Sequence, residues 1–109
     1  MRMNVIGDDS ISRQARAYAE YRLFAALSQV LDTGQVHNAS LVLGRAKSTR
    51  RCDGVLCTVT VELNGGAVTR LRTLGEHPYA AINRAVERIR LNWRSARHGP
   101  SHREMVASE

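Results

Sequence analysis

Arginine is the residue type whose number and spacing best suit chemistry in this sequence, and that chemistry is phosphate binding. The 109 residues contain 16 Lys and Arg against 10 Asp and Glu, a formal net charge of +6, and Lys47 is the single lysine. The planar guanidinium fork matches phosphate, whereas lysine offers a point charge, so the composition favours a nucleic-acid partner. A compositional bias of the source genome is the alternative, and it would weaken the arginine argument without changing the net charge.

The basic residues form three clusters along the chain. The last predicted helix carries five arginines against one acid, Glu87, and further clusters lie in the first predicted helix and in the loop after the second predicted strand. Self-repulsion keeps such a loop extended until a polyanion meets it. A solvated surface explains any one cluster, but three clusters on a basic chain favour a polyanion partner. The predicted RNA-binding residues are Arg16, Arg22, Lys47, Arg50, Arg51, Arg84, Arg88, Arg90, Arg94 and Arg97.

Cysteine and histidine spacings resemble a zinc finger only superficially. Cys52-x4-Cys57 lies about forty residues before His98-x3-His102, much farther than finger ligands lie. Gly99-Pro100 breaks the helix between the two histidines. We therefore expect no metal, and a small-residue core position for Cys57. No nucleophile, histidine–aspartate arrangement or carboxylate pair stands out, so the sequence predicts no catalytic residue, no cofactor and no small-molecule substrate.

Hydrophobic periodicity predicts the element order β-α-β-β-β-α, with strands at 3–6, 36–43, 55–63 and 67–74 and helices at 11–31 and 78–98. Residues 55–63 alternate strictly, and Asn64-Gly65-Gly66 is a strong hairpin signal, so the last two strands are antiparallel neighbours. An Asp or Ser of residues 7–10 is expected to cap the first helix, and Gly34 to end it in a left-handed conformation. His77 is expected to cap the last helix.

These elements predict an α+β two-layer sandwich, with both helices on one face of a four-stranded sheet. The first helix is long enough to cross over between two parallel strands. The core stripe expected on the last helix is Ile82, Val86, Ile89 and Trp93. Its flanks carry Arg84 and Arg88 on one side and Arg90, Arg94 and Arg97 on the other. The solvent side of the sheet is expected to carry Thr58, Thr60, Glu62, Arg70 and Arg72.

Length and composition predict one α+β domain over residues 1–98 and a flexible tail over 99–109. The N-terminal residues are too polar for a secretory signal, and the longest uncharged apolar run, 23–31, is about half of a bilayer crossing. The apolar stripe of the last helix is needed by the sheet, which disfavours a lipid partner. We expect a cytoplasmic protein with reduced cysteines.

The aromatic residues indicate which kind of nucleic acid to expect. All five lie in predicted helices: Tyr18, Tyr21, Phe24, Tyr79 and Trp93. Modules that stack bases carry aromatics on an exposed sheet, where this chain has threonine and charged residues. The pattern therefore disfavours single-strand stacking and favours phosphate contact with a folded RNA or a duplex.

Three strings match a known family in order and spacing: Met3-Asn4-Val5-Ile6-Gly7, Leu63-Asn64-Gly65-Gly66 and Tyr79-Ala80-Ala81-Ile82-Asn83. With them, roughly residues 2–97 resemble the ribosome hibernation factors, the group of the hibernation promoting factor and the ribosome-associated inhibitor, also called sigma-54 modulation proteins. The resemblance implies a stress-phase protein that blocks the mRNA and tRNA channel of the small ribosomal subunit. It also implies a short form that lacks the C-terminal dimerisation domain and is monomeric off the ribosome.

The resemblance also implies site residues. Arg16, Arg22 and Arg88 match family positions where Lys or Arg faces rRNA. Relatives often have basic residues at the positions of Ala25, Leu91 and Ser95. Compensation for these departures is expected from Arg90, Arg94 and Arg97.

Together these observations predict a non-enzymatic, ribosome-associated translation inhibitor, a hibernation factor whose partner is the small ribosomal subunit and its rRNA. The alternative is a general binding module for structured RNA or double-stranded nucleic acid. A protein-interaction domain would need partners for Asp8, Asp9 and Glu62. An enzyme lacks a recognisable set of catalytic residues.

Overall fold

The computed structural model describes the backbone of residues 1–46 and 54–98, and their side chains except those of Thr33, Ala46 and residues 94–98. The elements in chain order are β1 (Arg2–Gly7), α1 (Arg13–Val30), a 3-10 turn (Thr33–Gln35), β2 (Val36–Ala46), β3 (Gly54–Leu63), β4 (Val68–Gly75) and α2 (Pro78–His98). The predicted element order and the α+β sandwich are confirmed. The predicted tail, 99–109, lies outside the described residues.

The four strands form one mixed sheet in the order β1-β2-β3-β4. β1 is parallel to β2, and the pairs β2–β3 and β3–β4 are antiparallel. A parallel neighbour requires a crossover, which α1 provides between β1 and β2. The register shifts between Val36 and Asn38, which explains why the alternation of β2 becomes regular only from Ala39 onward.

Both helices pack on the same face of the sheet. α1 contacts β1 and β2, α2 contacts β3 and β4, and the two helices also contact each other. β4 runs in the same direction as β1, because two antiparallel pairings separate it from β2. Each helix follows one of these strands and runs back across the sheet, so α1 and α2 are parallel and begin at the same end of the molecule.

The core lies between the two layers. The alternating residues of β3 are buried there, with Cys57 among them, and so is most of the predicted α2 stripe: Ile82, Val86 and Ile89 are buried, and Trp93 is half-buried. The hydroxyl of buried Thr73 in β4 donates a 2.8 Å hydrogen bond to the carbonyl oxygen of Ala81. Since a buried hydroxyl needs a partner, this bond fixes β4 against α2.

The N-terminal end of α1 differs from the prediction. Ser12 is the N-cap, and its Oγ accepts a 3.0 Å hydrogen bond from the amide of Ala15. Asp8 turns back locally, and its Oδ1 accepts from the hydroxyl and the amide of Ser10. These two hydrogen bonds lower the pKa of the Asp8 carboxyl, because they favour the charged form. The 7–10 turn therefore closes on itself, and the cap falls two residues later.

The C-terminal end of α1 also differs from the prediction. The helix ends at Val30, and its C-cap is Leu31, which is extended with φ −138° and ψ 160° and whose amide bonds to the carbonyl oxygen of Leu27. Among the described glycines, Gly66 has a positive φ and Gly34 does not. The amide of Gly34 instead bonds to Oδ1 of Asp32 at 3.1 Å, so an aspartate turn performs the reversal predicted for a left-handed glycine.

Two glycines hold positions that larger residues would disturb. Gly66 in the β3–β4 hairpin has φ 100°, and its amide bonds to the carbonyl oxygen of Leu63 at 2.9 Å, as the hairpin signal predicts. At Gly75 a Cβ would lie 2.4 Å from the amide nitrogen of Ala81. Glycine at 75 therefore lets α2 approach the end of β4. His77 caps this helix as predicted, because its Nδ1 accepts from the amide of Ala80 at 3.3 Å.

Candidate nucleic-acid interface

The two helices carry the whole net charge of the chain. Their arginines are Arg13, Arg16, Arg22, Arg84, Arg88, Arg90, Arg94 and Arg97, and their acids are Glu20 and Glu87. Eight against two gives the +6 of the entire chain, because eight basic and eight acidic residues cancel elsewhere. We call the surface of α1 and α2 that points away from the sheet the helix face.

Four side chains join α1 to α2 on the helix face, and we call them the interhelical cluster: Tyr18, Arg22, Tyr79 and Asn83. Oδ1 of Asn83 accepts hydrogen bonds from the hydroxyl of Tyr18 at 2.7 Å and from Nε of Arg22 at 3.3 Å. The ring of Tyr18 meets that of Tyr79 edge to face, with centroids 5.0 Å apart, and the Arg22 guanidinium lies 5.9 Å from the Tyr18 centroid. These contacts orient Arg22, yet its hydrogen bond uses one of five guanidinium N–H donors.

Arg90 lies on the flank of α2 that faces α1. It follows Asn83 by seven residues, or about two helical turns, which places both on one flank. Arg90 is half-buried, and its Nε is buried without a hydrogen-bond partner among the described groups. A buried donor without a partner carries a desolvation cost.

The opposite flank of α2 meets the edge strand β4 in what we call the edge groove, a cleft of about 390 Å³. The residues that line it are Thr73, Leu74, Arg84, Glu87, Arg88 and Leu91. Nη1 of Arg84 donates a 2.7 Å hydrogen bond to the carbonyl oxygen of Leu74. This bond ties Arg84 to the sheet edge and holds it one helical turn from Arg88, so the groove presents two guanidinium groups with one carboxylate.

Arg16 stands apart from these arginines. Six residues separate it from Arg22, which places the two roughly 120° apart around α1. Because Arg22 faces α2, Arg16 lies on the flank away from α2, where it is half-buried. The family-matched residues of α1 therefore point to different sides of the helix.

The outermost surface of α1 is aromatic. Tyr21 is 70% exposed and Phe24 is 50% exposed. They lie about 60° apart around the helix and opposite the buried stripe of Ala19, Leu23 and Ala26. Apolar residues thus occupy both sides of α1, although only one side packs against the sheet.

The open surface of the sheet, which we call the sheet face, has a different character. Its strands contain no aromatic residue. Thr58 lies opposite Arg72 and Thr60 opposite Arg70, and Nε of Arg70 donates to the Thr60 hydroxyl at 3.4 Å. The predicted solvent side of the sheet is confirmed, since Arg70 and Arg72 are exposed and the two threonines are half-buried.

Five predicted RNA-binding residues have described side chains, and the structure groups four of them in pairs. Arg84 and Arg88 share the edge groove, and Arg22 and Arg90 lie on the facing flanks of the two helices. For Arg94 and Arg97 the structure describes only the helical backbone. The loop residues Lys47, Arg50 and Arg51 lie outside the described residues. Contact of these arginines and of Lys47 with RNA stays a prediction.

Asn83 and Tyr18 are site residues that the sequence reasoning missed. Tyr18 falls on the apolar stripe of α1, but it is only half-buried and its hydroxyl bonds across to α2. The hydroxyl of a tyrosine at the margin of a core stripe needs a hydrogen-bond partner, and this requirement could have identified Tyr18 from the sequence. Asn83 is the last residue of the Tyr79–Asn83 string on which the family resemblance depends. The resemblance therefore singled out this position but did not predict its contacts.

The described part of the chain contains neither a metal-binding cluster nor a membrane-spanning helix, and its cysteine is buried. Within residues 1–46 and 54–98, no three His, Cys, Asp or Glu side chains gather where a metal ion would bind. Cys57 is a buried core residue as expected, and burial raises the pKa of its thiol to about 12, against a small lowering by a hydrogen bond with Thr73. In the same ranges neither helix combines the length and the apolar character of a membrane crossing.

Comparison with known proteins gives a structural likeness. No protein-family model matches the sequence, and no curated protein matches it either. A solved structure of a ribosomal subunit interface protein from Coxiella burnetii is similar to this chain, with a TM-score of 0.72 over 91% of this chain and 100% of that one. The two sequences are 13% identical. The likeness therefore shows the fold, which agrees with the fold implied by the resemblance to hibernation factors.

Proposed function

We propose that this chain is a ribosome-associated translation inhibitor of the hibernation-factor family, which binds rRNA in the mRNA and tRNA channel of the small ribosomal subunit. The observation that carries the proposal is that the two helices, which form one layer of the sandwich, carry the entire +6 net charge. The shared fold with a ribosomal subunit interface protein and the family strings, Tyr79–Asn83 above all, support it independently.

The proposed mechanism is occupancy without covalent chemistry. Guanidinium groups of the edge groove and of the facing helix flanks neutralise rRNA phosphates, and the sandwich fills space that mRNA and tRNA otherwise enter. Binding releases counterions from the RNA, so the affinity falls linearly with salt on logarithmic axes. The protein acts in the cytoplasm, needs no cofactor and is monomeric off the ribosome.

Co-sedimentation with purified small ribosomal subunits across about 50 to 200 mM salt tests this proposal. The double variant Arg22→Glu with Arg88→Glu changes the helix face at one arginine of the facing flanks and one of the edge groove. Arg70→Glu with Arg72→Glu makes the same change of charge on the sheet face and serves as the matched control. We expect the helix-face variant to bind roughly 100-fold more weakly, from about tenfold per lost charge-assisted contact, with the salt slope reduced by about two.

The control should stay within about threefold of the wild type, because exposed charges beyond a Debye length are largely screened. Binding that ignores salt, or that survives the helix-face variant, contradicts the proposal. An equal loss of binding in both variants would mean that the interaction is only nonspecific attraction by net charge.

A general binding module for structured RNA or duplex is the second candidate, and the lack of aromatic residues in the strands of the sheet favours it. The affinity of the wild-type protein for a plain RNA duplex, measured beside its affinity for small subunits, decides between the two. A module of this kind binds a plain RNA duplex as tightly as it binds small subunits, whereas a hibernation factor prefers the subunit at every salt concentration.

A further inference from the structure

Two aromatic rings on α1 are largely exposed to solvent. Tyr21 and Phe24 are 70% and 50% exposed and point away from the sheet, while the opposite side of the helix is fully buried at Ala19, Leu23 and Ala26. Phe24 carries no polar group that would gain from water. Exposed apolar side chains at neighbouring helical positions are typical of a surface that contacts a partner.

The surroundings of the two rings indicate the chemistry of that partner. Both rings belong to the helical layer, which carries the whole net positive charge of the chain. Arg22 directly follows Tyr21 in α1. Positive charge attracts the phosphate backbone, and aromatic faces stack on unpaired bases, which is the usual combination on single-stranded RNA sites. A protein partner of such a surface would have to be acidic as well as apolar.

We propose that Tyr21 and Phe24 form a stacking site for unpaired nucleobases of the bound RNA. This inference rests on the proposed function and adds what the arginines do not supply, a contact with bases rather than phosphates. The lack of aromatic residues on the sheet led us to expect no base stacking. This inference revises that expectation, since the proposed stacking surface lies on a helix. Single-stranded loops and ends present bases in the required unstacked form.

Binding of the full-length protein to two probes tests this inference: purified small ribosomal subunits, and a short single-stranded RNA compared with an abasic strand of equal length and charge. Tyr21→Leu with Phe24→Leu keeps apolar side chains but removes both rings, and Tyr21→Trp with Phe24→Trp keeps stacking. We expect the leucine pair to bind subunits and RNA about 100-fold more weakly, about tenfold per ring, with an unchanged salt slope. The tryptophan pair should bind at least as well as the wild type, and the abasic strand should not distinguish the variants.

Two outcomes overturn the inference while the proposed function stands. One is a leucine pair that binds subunits like the wild type. The other is a leucine pair that loses subunit binding but binds RNA and abasic strands like the wild type, which would assign the rings to a ribosomal protein. A wild-type protein that fails to bind small subunits at low salt overturns the proposed function itself. Circular dichroism of both pairs confirms that α1 is intact before these comparisons are made.

Discussion

The helix face and the sheet face are the two broad surfaces of one sandwich, and they differ in charge and in aromatic content. The helices hold eight arginines against two glutamates, together with all five aromatic residues. On the sheet face, Arg2, Arg70 and Arg72 accompany Glu62 among threonine, serine and asparagine, together with the exposed apolar side chains of Ile6, Val42, Val68 and Leu74. The two faces therefore differ in net charge and in aromatic rings, which concentrate on the helices, and not in whether they expose apolar groups.

The two faces also hold their arginines differently. Arg70 makes one long hydrogen bond to the Thr60 hydroxyl at 3.4 Å. Arg84 makes a shorter bond of 2.7 Å to the carbonyl oxygen of Leu74, and Arg22 combines its bond to Asn83 with the ring of Tyr18. An arginine held by a short bond or by two contacts loses less conformational entropy on binding. The helix face is therefore better prepared for a phosphate partner than its charge alone suggests.

The largest effect is expected for the alkylation rate of Cys57, which lies in the core between the two layers. A thiol with a pKa of about 12 carries roughly a thousandfold less thiolate at pH 8 than one at 9.0, so iodoacetamide should modify folded Cys57 at least a thousandfold more slowly than unfolded Cys57. Mass spectrometry of a Cys52→Ser variant, with and without urea, measures both rates. Because the folded pKa is the higher one, this stabilising contribution is complete below pH 9.0 and is lost as the pH rises toward about 12. Rapid labelling of the folded protein would show that one layer opens.

A smaller effect is expected where α2 joins the sheet. Gly75→Ala places a Cβ against the backbone of Ala81, which cannot move aside as a side chain does. We expect a loss of about 3 kcal/mol in the free energy of unfolding, a decrease in Tm of roughly 12 to 24 °C by thermal circular dichroism. Gly65→Ala is the matched control, because no atom lies within 4 Å of its Cβ position. Equal Tm values for the two variants would mean that α2 does not depend on this close approach.

The smallest effect separates orientation from charge on the helix face. Asn83→Ala removes the acceptor shared by Tyr18 and Arg22 but leaves the charge unchanged. We expect about tenfold weaker binding to small subunits with the same salt slope, and a loss of stability near 1 kcal/mol. Asn4→Ala on the exposed part of β1 is the control and should bind like the wild type. A changed salt slope in the Asn83 variant would mean that Arg22 had lost its phosphate contact altogether.

Local patterns were enough to predict the sandwich. The strict alternation at 55–63 and the Asn64-Gly65-Gly66 signal both reflect contacts between chain neighbours, and both strands form as predicted. The N-terminal end of α1 was less predictable, since Asp8, Asp9, Ser10 and Ser12 are all residue types that cap helices, and the local turn between Asp8 and Ser10 leaves Ser12 as the cap. Propensity alone does not rank Ser10 against Ser12.

The site was less predictable than the fold. Helical spacing places Arg84 with Arg88, but the edge groove also needs Leu74 and Thr73, which come from a strand whose position depends on the whole sheet. The contact between Arg22 and Asn83 joins residues 61 positions apart. Long-range pairs of this kind follow from topology and leave no periodic signal in one sequence.

The parallel arrangement of α1 and α2 gives the helical layer a net dipole along the helix axes. Each helix places about half a positive elementary charge at its N-terminal end, so two helices that start together add their macrodipoles, whereas an antiparallel pair would cancel them. Four of the five α2 arginines, from Arg88 to Arg97, lie toward the opposite end, where backbone carbonyls are negative. Backbone amides at one end and guanidinium groups toward the other thus keep the potential positive along the helices, and an approaching polyanion is attracted over their full length.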